Sequence, residues 1–198
     1  MSARSDSERP VLVREATALD ADAIASVHVR SWRAAYRGII DDDYLAALSV
    51  ERRRDATLAW FRAHDPSSFM RVAVDASARV IGYGMCGPAR SLVPAKLGEV
   101  YVLYLLPEAQ RRGVGTQLMR SIARGLDRAG MERLVVWSLE LNPARAFYAR
   151  RGGRAADSRE TLVGKRRLRE IAYRWDSLRT LIESAECTSP GTGRNAPR

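Results

Sequence analysis

Apolar residues alternate or run together in short blocks along this chain, and longer four-residue repeats separate them. Residues 11–16 form an apolar, strand-like opening. The stretches 71–75 and 79–85 flank Ala76-Ser77-Ala78 and predict a hairpin. Residues 101–106 are a continuous apolar block closed by Pro107, the pattern of a buried strand. Val114, Leu118, Ile122 and Leu126 then recur every four residues and define one face of a helix. A fifth strand is expected over 134–139. A second hairpin is expected from 161–163 and 168–175 around Gly164-Lys165. The alternation predicts an α/β domain with a mixed sheet.

The glycines of Gln110-Arg111-Arg112-Gly113-Val114-Gly115-Thr116 fall where the 101–106 strand gives way to the helix. A helix start offers backbone N–H groups with no internal partner, and the helix dipole reinforces them. Gly113 and Gly115 have no side chain to keep an anion away, and Arg111 and Arg112 put positive charge at the rim. The pattern predicts a pyrophosphate cradle. It lacks the Lys of a triphosphate loop. The third glycine of a dinucleotide fingerprint is also missing, because Leu118 stands there. Taken alone, the turn is also compatible with a plain glycine-rich β–α connection.

Composition narrows the class. With 198 residues, 46% apolar and 28% charged, the chain suits one soluble domain. No apolar run reaches the ~18 residues of a membrane span. Residues 1–10 have no apolar core and are expected to be a disordered N-terminus, not a secretory signal. Residues 177–198 are expected to be an extension, a short helix followed by a loose tail. The net charge is +10, but Arg supplies 31 of the 33 basic residues, spread from Arg4 to Arg198. Runs such as Arg52-Arg53-Arg54, Arg150-Arg151 and Lys165-Arg166-Arg167 read as solvated faces, so no nucleic-acid partner is expected. Cys86 and Cys187 do not form a disulfide framework, which fits a reducing cytoplasm. The two His and two Cys are not spaced as metal ligands, and no metal is expected.

Over residues 11–175 the chain resembles the GCN5-related N-acetyltransferases. Q-x-x-G-x-G follows the fourth strand at 98–107, Asp20 to Tyr36 resembles the first helix and the segment after Arg37-Gly38-Ile39-Ile40 the second, Val80-Ile81-Gly82-Tyr83-Gly84 resembles the third strand, and Asn142-Pro143-Ala144-Arg145-Ala146-Phe147-Tyr148 with Gly152 resembles the fourth helix, over 142–148, and its exit. The resemblance implies a GNAT-like, mostly antiparallel sheet, flanked by helices, with strands four and five parallel and splayed. The domain would span 11–176.

It further implies transfer of an acetyl group from acetyl-CoA, as co-substrate, to a primary amine on a small molecule or protein. Gln110, Arg111, Arg112, Gly113, Val114, Gly115 and Thr116 would hold the pyrophosphate. The backbone of Leu103, Tyr104 and Leu105 would pair with pantetheine, as would Asn142. Tyr148 would be the general acid and also contact the coenzyme. Glu99, 14 positions before Gly113, is the candidate base, with Glu140 and water as alternatives. Trp32, Tyr36 and the 155–168 hairpin would border the acceptor, and Asp41-Asp42-Asp43 and Glu51 would attract a cationic amine or simply cap helices. Homodimers are common in the family.

Two positions depart from its pattern. Asn142 stands six residues before Tyr148 where the family has seven, and Gly153 replaces a Phe that plugs the core. The alternative reading is a non-catalytic acyl-CoA-binding module.

Overall fold

The computed structural model describes residues 11–63, 65–90 and 95–183. Seven strands form one sheet: β1 (Leu12–Glu15), β2 (Phe69–Val74), β3 (Val80–Pro88), β4 (Leu97–Leu105), β5 (Arg133–Leu139), β6 (Arg154–Val163) and β7 (Arg166–Trp175). Their spatial order is β1-β2-β3-β4-β5-β7-β6, and β4–β5 is the parallel pair. Six helices accompany them: α1 (Ala21–Ala35), α2 (Asp42–Ala46), α3 (Val50–Ala63), α4 (Val114–Arg128), α5 (Arg145–Arg150) and α6 (Arg179–Glu183).

The β4–β5 ladder is short. It runs from Leu97–Arg133 to Val100–Val136 and stops, while β4 continues to Leu105 and β5 to Leu139. The register of β3 on β4 slips at the same level: Cys86 faces Val100 and Met85 faces Val102, so Tyr101 is an extra residue. A bulge of this kind bends and twists its strand. The sheet therefore opens between β4 and β5 beyond Val100, with β4 still held by β3 on its other side.

The four-residue repeat buries Val114, Leu118, Ile122 and Leu126, and Met119 and Ala123 extend the same stripe. These side chains clamp α4 onto the sheet, which fixes where its N-terminus sits. The expected second helix is two helices, α2 and α3. The last described helix is no appendage. Leu178 and Leu181 are buried with Met119, Leu126 and Trp175, so 178–181 belongs to the core. The expected disordered ends at 1–10 and 184–198 lie outside the described residues, as does Cys187. Strand β6 is much longer than the expected 161–163. Its burial pattern is exposed almost throughout, and an edge strand that is polar on both faces leaves no period-two signal.

Candidate active site

The connection into α4 is a single sharp turn. After a 3-10 turn at Pro107–Ala109, Arg111 adopts φ +61° and Gly113 φ +77°, both in the left-handed region. Gly113 caps α4, and its carbonyl accepts the N–H groups of Thr116 (3.0 Å) and Gln117 (3.1 Å). The N–H groups of Val114 and Gly115, ahead of them in the same first turn, have no carbonyl behind them to bond. A Cβ placed on Gly113 would meet nothing within 4 Å. The space in front of the helix start is open.

This helix start lies at one end of a cavity of about 950 Å³. Gln110, Arg111, Gly113, Gly115 and Thr116 line it at the cradle. Leu103, Tyr104 and Leu105 line it along the open edge of β4, and Val136, Trp137 and Ser138 along β5. Asn142 and Tyr148 complete the wall. The expected coenzyme residues thus converge, except two. The Val114 side chain is buried in the core with Leu106 and Leu118, which leaves only its backbone N–H at the helix start, and Arg112 is not among the lining residues. Arg150 and Arg151, which the sequence pattern assigns to a solvated face, line the cavity instead. Their run of charge carries no mark of which side it faces until α5 is docked.

Tyr148 is buried on α5, with its ring against Phe147, Tyr173 and Trp175. Desolvation, with a smaller contribution from nearby Tyr36, pushes its hydroxyl pKa well above the usual tyrosine value. Gly153 does not loosen this helix exit. Trp175 from β7 occupies the space, with its ring 2.6 Å from where a Gly153 Cβ would stand. Its indole N–H donates to the Arg151 carbonyl at 2.7 Å. The core plug comes from another strand. Asn142 lies ahead of α5, which begins at Arg145 with Ala144 as its cap, three residues later than the expected helix at 142–148. The Asn142 side chain accepts the Ala144 N–H at 2.9 Å and donates to the Tyr36 hydroxyl at 3.2 Å. It therefore ties the α5 entry to α1.

Glu99 is displaced from its expected place. Its side chain is buried, takes the Arg90 guanidinium at 2.5 Å and the Arg90 backbone N–H at 3.0 Å, and does not line the cavity. Glu140 is also outside the lining and lies 3.5 Å from Arg169. The carboxylate that lines the cavity is Glu170 on β7, opposite Leu139. One of its oxygens accepts Arg159 Nε at 2.8 Å, and Arg159 in turn covers the Trp137 ring at 4.1 Å. Sequence reasoning missed Glu170 because it sits in a charged run, Arg166 to Glu170, with no spacing to single it out.

The other end of the cavity is aromatic. Trp32 and Tyr36 line it with ring centroids 4.9 Å apart, and Tyr104 packs edge-on to Trp32 at 6.3 Å. Leu139 and Val163 add apolar surface. Of the expected hairpin wall at 155–168, Val163 is the contributor. Asp41, Asp42, Asp43 and Glu51 do not line the cavity. Asp41 faces Arg166 at 3.7 Å, Asp42 and Asp43 occupy the first turn of α2, and Glu51 accepts the Ser49 hydroxyl at 2.7 Å.

The model of the acetyltransferase (GNAT) family matches residues 30–153. The chain belongs to this family. Family membership makes it an acetyl-CoA-dependent N-acetyltransferase. Among its relatives is the uncharacterized N-acetyltransferase YuaI of Bacillus subtilis (strain 168), 38% identical over 172 residues, which are 86% of this chain and 96% of that protein. The fold matches the PaiA N-acetyltransferase of Thermoplasma acidophilum in complex with coenzyme A. The TM-score is 0.68 and the identity 18%, over 83% of this chain and 98% of that one. It also matches YncA, a putative acetyltransferase from Salmonella typhimurium, with its cofactor acetyl-CoA. There the TM-score is 0.66 and the identity 20%, over 92% and 99% of the two chains.

The site of this GNAT protein fits the coenzyme on its own geometry. The helix start is open where a pyrophosphate must approach, and an unpaired strand edge leads from it to Tyr148. Among the described residues no group of three His, Cys, Asp or Glu is placed to hold a metal ion, and no helix is long and apolar enough to cross a membrane.

Proposed function

We propose that this acetyltransferase moves the acetyl group of acetyl-CoA directly onto a primary amine, with Tyr148 and Glu170 managing the two protons. One observation carries the reading: a single cavity joins the α4 cradle, the β4–β5 opening, Tyr148 and Glu170. Acetyl-CoA supplies the activated thioester. The N–H groups at the start of α4 receive the pyrophosphate, and Arg111, Arg150 and Arg151 add positive charge along the same wall. Beyond Val100 the Leu103, Tyr104 and Leu105 stretch of β4 has no β5 partner and offers backbone groups to the pantetheine amides, the Leu105 carbonyl also accepting the Ser31 hydroxyl at 2.8 Å. Tyr148 keeps its proton at neutral pH because burial disfavours the phenolate, and it gives that proton to the sulfur as the C–S bond breaks. Glu170 accepts the proton that the ammonium must lose before its nitrogen forms the new C–N bond, and the second proton, shed by nitrogen as the amide forms, replaces the one Tyr148 gave to the sulfur.

The acceptor end, walled by Trp32, Tyr36, Leu139 and Val163, suits an amine carried on an apolar or aromatic body, from a small molecule or a protein. A free, buried Cys86 thiol and dependence on coenzyme A fit a cytoplasmic setting.

Thermal melting with acetyl-CoA tests the cradle. Ligand at 100 times its dissociation constant stabilises by about 2.7 kcal/mol, a rise of several degrees. The rise should vanish in Gly115→Val, which puts a branched side chain on the cavity wall in the first turn of α4, where the backbone is helical and accepts it without φ strain. Release of free thiol with a panel of primary amines then reads turnover. Native protein that shows no shift at millimolar acetyl-CoA would refute the reading.

A further inference from the structure

Ser138 is a serine whose hydroxyl the folded protein does not use. It sits near the end of β5, is 6% exposed, and its Oγ is buried without a hydrogen-bond partner. A buried hydroxyl left unsatisfied is costly, and native proteins rarely keep one without a reason. Its strand position supplies the reason. The β4–β5 ladder ends at Val136, so Ser138 lies two residues into the opening, where β5 no longer has β4 beside it. Side chains alternate along a strand, so Ser138 shares the face of Val136, and across β7 it pairs with Ile171. Val136 and Ile171 both pack in the cluster that holds Tyr148. Ser138 and Tyr148 both line the cavity. The orphan hydroxyl is thus on the Tyr148 side of the opening.

We propose that Ser138 is a binding residue for the acyl-pantetheine arm of acetyl-CoA, its hydroxyl completing its hydrogen bonding on a carbonyl or amide of that arm. The assignment rests on the transferase reading above and adds a ligand contact that neither the turn nor the tyrosine supplies. An apolar residue of the same size would satisfy the fold. Serine at this position serves the bound state.

The test compares Ser138→Ala with the native protein by melting temperature and by equilibrium binding of acetyl-CoA and of ADP, which carries a pyrophosphate but no pantetheine. The variant should melt at or above the native temperature, because it buries no unsatisfied hydroxyl. It should bind acetyl-CoA about tenfold more weakly, the worth of one hydrogen bond, and bind ADP unchanged. Ser138→Cys, with its weaker donor, should fall between. Acetyl-CoA affinity within twofold of native would overturn the assignment and leave the transferase reading standing. A lowered melting temperature with both ligands weakened together would also overturn it, in favour of a packing role. Native protein that binds no acetyl-CoA would remove both readings at once.

Discussion

Tyr148 owes its proposed role to burial: a phenol packed among Phe147, Tyr173 and Trp175 holds its proton beyond the usual range. Tyr148→Phe keeps the ring packing and removes the proton. It should slow acetyl transfer by about 100-fold or more while the melting shift with acetyl-CoA persists. Glu170→Gln should slow turnover similarly and steepen its dependence on rising pH, since free amine must then come from solution. Glu99→Gln should instead leave turnover near native, because Glu99 faces Arg90 and not the cavity. Turnover assays on the three variants, with the melting shift as a binding control, check the assignments. Both glutamates lie on strands, and the pairing of β7 with β5 is what brings Glu170 to the cavity lining.

The elements around α5 show how a missing side chain is replaced. Gly153 looks like a lost core aromatic until β7 is in place, and then Trp175 is found in the volume. Gly153→Phe therefore overfills the site. It should destabilise by about 1–3 kcal/mol in denaturant melts. Pairing it with Trp175→Ala should recover part of that loss, although the Arg151 carbonyl then loses its indole donor. The same dependence on neighbours explains the other differences among elements. Strand β6 has no buried face to betray it, and the segment after Ile40 divides into α2 and α3. By contrast β4, α4 and the turn between them were legible. Their apolar block, four-residue repeat and glycine pair are local patterns, and each local pattern fits one backbone geometry.

Across the whole molecule, a polar cluster is buried where α1, α3 and the sheet meet. His28 Nδ1 lies 2.7 Å from the Tyr83 hydroxyl, which also receives Arg53 at 3.4 Å. Desolvation, and secondarily the Arg53 charge, lower the His28 pKa from 6.5 to about 3. The imidazole is thus neutral when folded but takes up a proton below about 6.5 when unfolded, so acid favours the unfolded chain over that window. The protein should melt lower at pH 5 than at pH 7. His28→Gln should show a smaller difference between the two, as calorimetry at both pH values would reveal. Nothing in the sequence distinguishes His28 from a surface histidine. The surplus of arginine is similarly mute. Arg150 and Arg151 on the cavity wall, and Arg90 and Arg159 each holding a carboxylate, are chemically the same residue as those left in solvent. By itself, the sequence determined the α/β class, the cradle pattern at Gly113, the family, and Tyr148 as the acid candidate, because periodicity, turn chemistry and the order of short motifs are properties of neighbouring residues. Which carboxylate lines the cavity, which aromatic fills behind Gly153, and that the Ser138 hydroxyl has no partner were decided only when strands far apart in the chain were laid side by side, because a side chain's surroundings are set by its partners in space.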